Sequence, residues 1–92
     1  MEILKPYRAQ IDQIDDQIID LLAARLDVIR AVGDLKAREN IPSYLRDRVN
    51  EVQARCAARA EDKGVDPDLV KSLYTLLIDY SCALEEKIIA KK

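Results

Sequence analysis

The sequence predicts an all-α fold with three helices per chain, the first very long, paired into an intertwined helical homodimer. Three observations carry that expectation. Helix formers dominate the 92 residues, while the β-branched residues sit singly or in pairs rather than alternating. Breakers are sparse, with three Pro and two Gly, so long stretches run unpunctuated. The first of those stretches carries an apolar stripe along nearly its whole length, more than one small chain can cover.

The elements follow from the punctuation. Pro6 suits the first turn of a helix, and nothing interrupts the pattern until Ile41-Pro42. That gives a helix of about 35 residues, or roughly 50 Å at 1.5 Å per residue. A compact chain of this size has a radius of gyration of only about 12 Å. The stripe of Ile11, Ile14, Ile18, Leu21, Leu22, Ile29 and Val32 therefore needs a second chain over part of its length. Ser43 is placed to cap a second helix, which runs to Lys63 and Gly64. Asp66 followed by Pro67 opens the third, which continues to about Ile89. Residues 1–92 read as one domain without repeat or linker.

Composition excludes several functions. A net charge of −2 and the lack of a basic helical stripe argue against nucleic acid as a partner. The apolar runs are too short to span a membrane, and no basic segment followed by an apolar run opens the chain. Cys56 and Cys82 are isolated within helical patterns, as free thiols in a reducing cytoplasm would be. With no His in the chain, a Ser-His or Cys-His dyad is ruled out, and no metal site is expected. Gly33 and Gly64 build no phosphate loop, and no cofactor is expected. An enzyme made from this chain works with Arg, Lys, carboxylates and hydroxyls.

Two cations break the first helix's apolar face. Counting 100° per residue from Ile11, the stripe falls between roughly 300° and 20°, with Arg25 at about 320° and Lys36 at about 340°. Asp12, Asp16, Asp20, Asp27, Arg30 and Asp34 cluster elsewhere, on a solvated face. An inward charge without a partner costs several kcal/mol, so Arg25 and Lys36 require anions. Asp15, Glu51, Asp79 or Glu85 can supply them as buried ion pairs. Alternatively, both cations face a cavity that binds a small polyanion.

The third helix carries a predicted core stripe of Leu69, Leu73, Leu76, Leu77, Tyr80 and Leu84, with Ser81 and Glu85 one turn apart on its margin. The second has a narrower stripe of Leu45, Val49, Val52 and Cys56, flanked by Arg48 and Arg55. Each of these polar residues fits either a plain helix boundary or a cavity lining.

The segment "YRAQIDQIDDQIIDLLAARLDVIRAVGDLK" resembles the first helix of the all-helical chorismate mutases. It has an early Arg, "ID-x-ID", "LL-x-x-R", then a Gly and a Lys. The resemblance continues through "IPSYLRDRV" and "VDPDLVKSLYTLLIDYSCALEE", covering nearly the whole chain. It implies an intertwined dimer of three-helix chains and a small dicarboxylate substrate. The implied reaction is the rearrangement of chorismate to prephenate in aromatic amino-acid biosynthesis. Arg25 and Lys36 would line the pocket of their own chain, and Arg8 would enter from the other subunit. Arg48 matches a pocket arginine of the second helix, and Ser81 a hydroxyl near a substrate carboxylate. Glu85 stands where the family carries Gln or Glu.

That reaction is pericyclic and needs no nucleophile, metal or proton transfer. The protein must hold a flexible dianion in a chair-like shape and stabilise charge developing on the ether oxygen. On the resemblance, Arg8 and Arg25 clamp carboxylates and Lys36 donates to the ether oxygen. Glu85 can donate there only when protonated. Two positions depart from the family pattern: Leu45 and Val49 stand where the mutases usually bring an Asp and a Glu, the latter accepting from the substrate hydroxyl. Arg48-Val49 is more like the isochorismate pyruvate lyases, and mutases of 4-amino-4-deoxychorismate form another branch. A non-catalytic helical dimer remains a further alternative, distinguished by whether protein carboxylates neutralise Arg25 and Lys36.

Overall fold

In the computed structural model, which describes residues 1–91, a 3-10 turn at Glu2–Leu4 leads into α1 (Lys5–Glu39), α2 (Arg46–Asp62) and α3 (Pro67–Ala90). There is no strand among the described residues. The helix ends follow local chemistry. Pro6 lies in the first turn of α1, where its missing N–H is not needed. Asn40 closes α1 in the left-handed region at φ 57°, and its N–H donates to the Lys36 carbonyl. Gly64, at φ 70°, does the same work after α2. At the start of α3 the Asp66 carboxylate accepts from the Asp68 N–H at 2.9 Å.

One expected cap is not made. α2 begins at Arg46 with Leu45 in the capping position and no side-chain cap. Ser43 is engaged elsewhere: its hydroxyl donates to Glu86 Oε2 at 2.7 Å, and its carbonyl accepts from Lys36 Nζ. Contacts to α1 and α3 have outcompeted the local one.

α3 packs against both α1 and α2, whereas α1 and α2 do not approach each other. The space between them, floored by α3, positions the site. A small core of Val52, Cys56 and Ile78 joins α2 to α3, with Val49, Val70, Tyr74 and Cys82 against it. Gly33 is the one buried residue of α1 and marks its closest approach to α3. A Cβ there would stand 3.0 Å from Ile88 Cδ1 and 3.4 Å from Glu85 Cα.

The chain is extended, 55 × 25 × 15 Å with a radius of gyration of 16.6 Å, against about 12 Å for a compact chain of this length. Every described residue before Leu22 is exposed, including Tyr7 and, from the predicted stripe, Ile11, Ile14, Ile18 and Leu21. The predicted core stripe of α3 needs correction. Leu69, Leu73, Leu76 and Tyr80 are exposed, Leu76 by 69%. The residues placed at its margin, Ser81 and Glu85, are instead the most buried of the helix at 4% each. α3 is apolar on more than one face, and helical periodicity alone does not say which face meets its own chain.

Candidate active site

The gap between α1 and α2 is a cavity of about 400 Å³, within the range that holds small metabolites. Arg25 and Lys36 reach it from α1, Arg48 from α2, and Ser81 and Glu85 from α3. Eleven residues, about 16 Å of helix rise, separate the two α1 cations, and three full turns return them to one face. The rest of the wall is largely aliphatic, with Ile29 and Val32 of α1, Val49 and Val52 of α2, and Ile78 of α3.

Each cation is held differently. The Arg25 guanidinium donates to Ser81 Oγ at 2.8 Å and lies 5.9 Å above the centre of the Tyr74 ring. The Ser81 hydroxyl in turn donates a hydrogen bond to the Leu77 carbonyl at 2.7 Å, one turn back in α3. Among the described residues no carboxylate pairs with Arg25. Lys36 does have a carboxylate: Nζ donates to Glu85 Oε1 at 2.6 Å and to the Ser43 carbonyl at 2.9 Å. Glu85 is thus neither exposed nor paired with Lys71 or Lys87. Arg48, at the rim, pairs with Glu51 one turn along α2, and both side chains are largely exposed.

Of the predicted site residues, Arg25, Lys36, Arg48, Ser81 and Glu85 therefore share one cavity. Arg8 does not reach it within the chain. It lies seventeen residues before Arg25, about 25 Å along the helix, in the wholly exposed half of α1. Two contributors to the site went unread in the sequence. The Ser43 carbonyl is a backbone group without a residue-type signature. Cys82 sits beside Ser81 and lines the cavity, its Sγ 3.9 Å from that carbonyl. Burial pushes the Cys82 thiol above its ordinary value; the Glu85 charge adds to this and Lys36 opposes it. Burial likewise pushes the Tyr74 hydroxyl up, reinforced by Cys56 and offset by Arg25 and Arg55.

The arrangement suits binding and electrostatics rather than covalent work. Arg25 and Lys36 are aimed at one space with only one protein carboxylate between them, which leaves a net positive charge able to attract an anion. The aliphatic walls keep the local dielectric low and strengthen those contacts. The only thiol in the wall is held toward its protonated, weakly nucleophilic form.

Comparison with known proteins points the same way. The profile of the chorismate mutase type II family matches residues 7–86. The 4-amino-4-deoxychorismate mutase of Streptomyces pristinaespiralis is 33% identical over 87 residues, covering 95% of this chain and 67% of that protein. The chorismate mutase of Methanocaldococcus jannaschii is 26% identical over 87 residues, or 95% of this chain and 88% of that protein. The T-protein of Enterobacter agglomerans is 39% identical over 70 residues, 76% of this chain but only 19% of that protein. A three-helix chain with paired cations over a small cavity, matched along nearly its full length by this profile, belongs to the type II chorismate mutase family.

Proposed function

We propose that this chain catalyses the rearrangement of chorismate to prephenate, the step that feeds aromatic amino-acid biosynthesis, in the cavity between α1 and α2. The observation that carries the reading is the inward Arg25, a cation without a protein carboxylate, sharing that cavity with Lys36. One carboxylate of the substrate supplies Arg25's missing partner, and Arg48 is available to the other. In this reading Arg25 and Arg48 bind carboxylates, and Ser81 holds Arg25 in position. Lys36 donates to the ether oxygen as its bond to carbon breaks. Arg48 must leave Glu51 to engage, a small cost for an exposed pair.

The working unit is a cytoplasmic homodimer. The exposed stripe from Tyr7 to Leu21 packs on the second copy, and this brings Arg8 to the partner's cavity as a further carboxylate clamp. The length of α1 beyond α2 and α3 and the thin core of the single chain support this arrangement.

A second reading concerns the substrate. Leu45 and Val49 present an apolar wall where an acceptor for the chorismate hydroxyl is expected, leaving that hydroxyl unsatisfied. Relatives named for the 4-amino analogue and for isochorismate pyruvate lyase are each 33% identical, over 95% and 91% of the chain, so both branches stand beside the chorismate reading.

The test is to offer the purified protein chorismate, 4-amino-4-deoxychorismate and isochorismate separately and identify the products. Prephenate formation that falls about 10²–10³-fold in Arg25→Ala and in Lys36→Ala supports the mutase reading. Preferential rearrangement of the aminated compound moves the assignment to that branch. Salicylate and pyruvate from isochorismate would make the chain a lyase. No turnover of any of the three would leave a binding module.

A further inference from the structure

The loop joining α1 to α2, residues 40–45, lies across one end of the cavity and is fastened from both sides. The Ile41 N–H donates to the Lys36 carbonyl at 2.9 Å, which fixes where the loop leaves α1. Two residues later Ser43 is gripped at its backbone and at its side chain. Its carbonyl accepts from Lys36 Nζ at 2.9 Å, and its hydroxyl donates to Glu86 Oε2 at 2.7 Å. Adjacent carboxylates of α3 thus hold both partners of one bond: Glu85 takes Lys36 inside the cavity, and Glu86 takes Ser43 outside it. Lys36, Ser43, Glu86 and Glu85 close a ring through α1, the loop and α3.

The ring has a stereochemical consequence. A lysine ammonium carries three N–H bonds in a fixed tetrahedral arrangement. Two of those at Lys36 are directed at Glu85 Oε1 and at the Ser43 carbonyl, which leaves one to point elsewhere. Glu85 alone would let the ammonium rotate about a single bond, and the second acceptor removes that freedom. The Ser43 carbonyl belongs to a segment without regular structure, so its position depends on what holds the loop.

We propose that Ser43 is a positioning residue for the reaction: anchored by Glu86, its backbone carbonyl turns the remaining N–H of Lys36 into the cavity. The inference rests on the reading of Lys36 as the donor to the substrate's ether oxygen. Ser43 lines the cavity wall and Glu86 lies outside it. They act through the direction of one hydrogen, so removing their bond lowers the rate of the chemical step and leaves binding nearly intact.

The experiment compares kcat and KM for chorismate in Ser43→Ala, Glu86→Ala, the double variant, Ser43→Thr and Lys36→Ala. Each alanine variant is expected to lose about tenfold in kcat with KM within about twofold, the loss of one bond orienting a charged donor. The double variant is expected to lose no more than the worse single one, because both remove the same bond. Ser43→Thr, which restores a hydroxyl, is expected to recover most of the rate. A wild-type kcat in Ser43→Ala, a change confined to KM, or losses that multiply in the double variant would each overturn the proposal. Lys36→Ala separates the two levels. If Lys36→Ala abolishes turnover while Ser43→Ala keeps the wild-type kcat, the positioning role fails and the function stands. If Lys36→Ala turns over normally, or the wild type does not turn over chorismate, both fall.

Discussion

At the scale of single residues, Glu85 is the position on which the chemistry turns. It is 4% exposed and accepts from Lys36 at 2.6 Å. On the proposed function its carboxylate is the acceptor that orients Lys36. Glu85→Gln keeps the shape but weakens that bond, and is expected to lower kcat by about three- to tenfold. An unchanged kcat would remove the orienting role of its charge. The same variant reports on Cys82, whose thiol is pushed up by burial and by the Glu85 charge. A raised thiol yields less thiolate at a given pH, so alkylation of Cys82 by iodoacetamide should lag behind that of a free thiol and rise with pH. Glu85→Gln removes the charge and should speed it, as read by peptide mass spectrometry that separates Cys82 from buried Cys56.

Residue identities also show what the sequence makes legible. Arg25 and Lys36 stood out because a charge inside an apolar stripe violates periodicity, and both do line the cavity. The Ser43 carbonyl had no such signature, since any residue supplies one. Glu85 was visible as one of four carboxylates able to pair with the inward cations, but which of them meets Lys36 was not, because a pair from α1 and α3 depends on how the helices are rotated rather than on spacing within either.

At the scale of the helices, Gly33 sets how close α1 and α3 can lie. Alanine there gains about 1 kcal/mol in helix propensity and meets mainly the movable end of Ile88, so Gly33→Ala should leave the melting temperature nearly unchanged. Leucine has no such escape and must push against the Glu85 backbone. Gly33→Leu is therefore expected to cost about 1–3 kcal/mol by overpacking and to lower activity by drawing Glu85 away from Lys36. A thermal melt and a rate assay check both. The helix ends were largely readable: Pro6, Gly64 and the Asp66-Pro67 pair act as their chemistry predicts. The start of α2 was not, because Ser43 exchanges its capping role for contacts more than forty residues away in one case and seven in the other. The face of α3 was not legible either. Leucines on one side and Val70, Tyr74 and Ile78 on another give it two apolar faces, and only packing distinguishes them.

At the scale of the molecule, the proposed pairing through the exposed stripe of α1 requires assembly before activity. On that proposal the wild type is expected at twice the 10.5 kDa chain mass in sedimentation, and replacing Ile14 and Ile18 together with Glu should reduce it to the single-chain mass. The same change should abolish turnover even though both positions lie far from Lys36, because on that proposal the second copy's Arg8 completes the site. A double variant that remains paired or active would remove the intertwined arrangement. The length of α1 was legible in the sequence from its unbroken run between Pro6 and Ile41, and the pairing is proposed from it.

The separation of α1 from α2 has its own consequence for how the chain reaches this state. α3 is the only helix that touches both others, and it follows both in the sequence. During synthesis, the first two helices emerge with no partner from their own chain, and α2, with no side-chain cap and few apolar residues, has little to sustain it alone. Order in α2 therefore arrives late and all at once, when α3 closes over a distance of many residues. The empty space that receives the ligand is the last feature the polypeptide acquires.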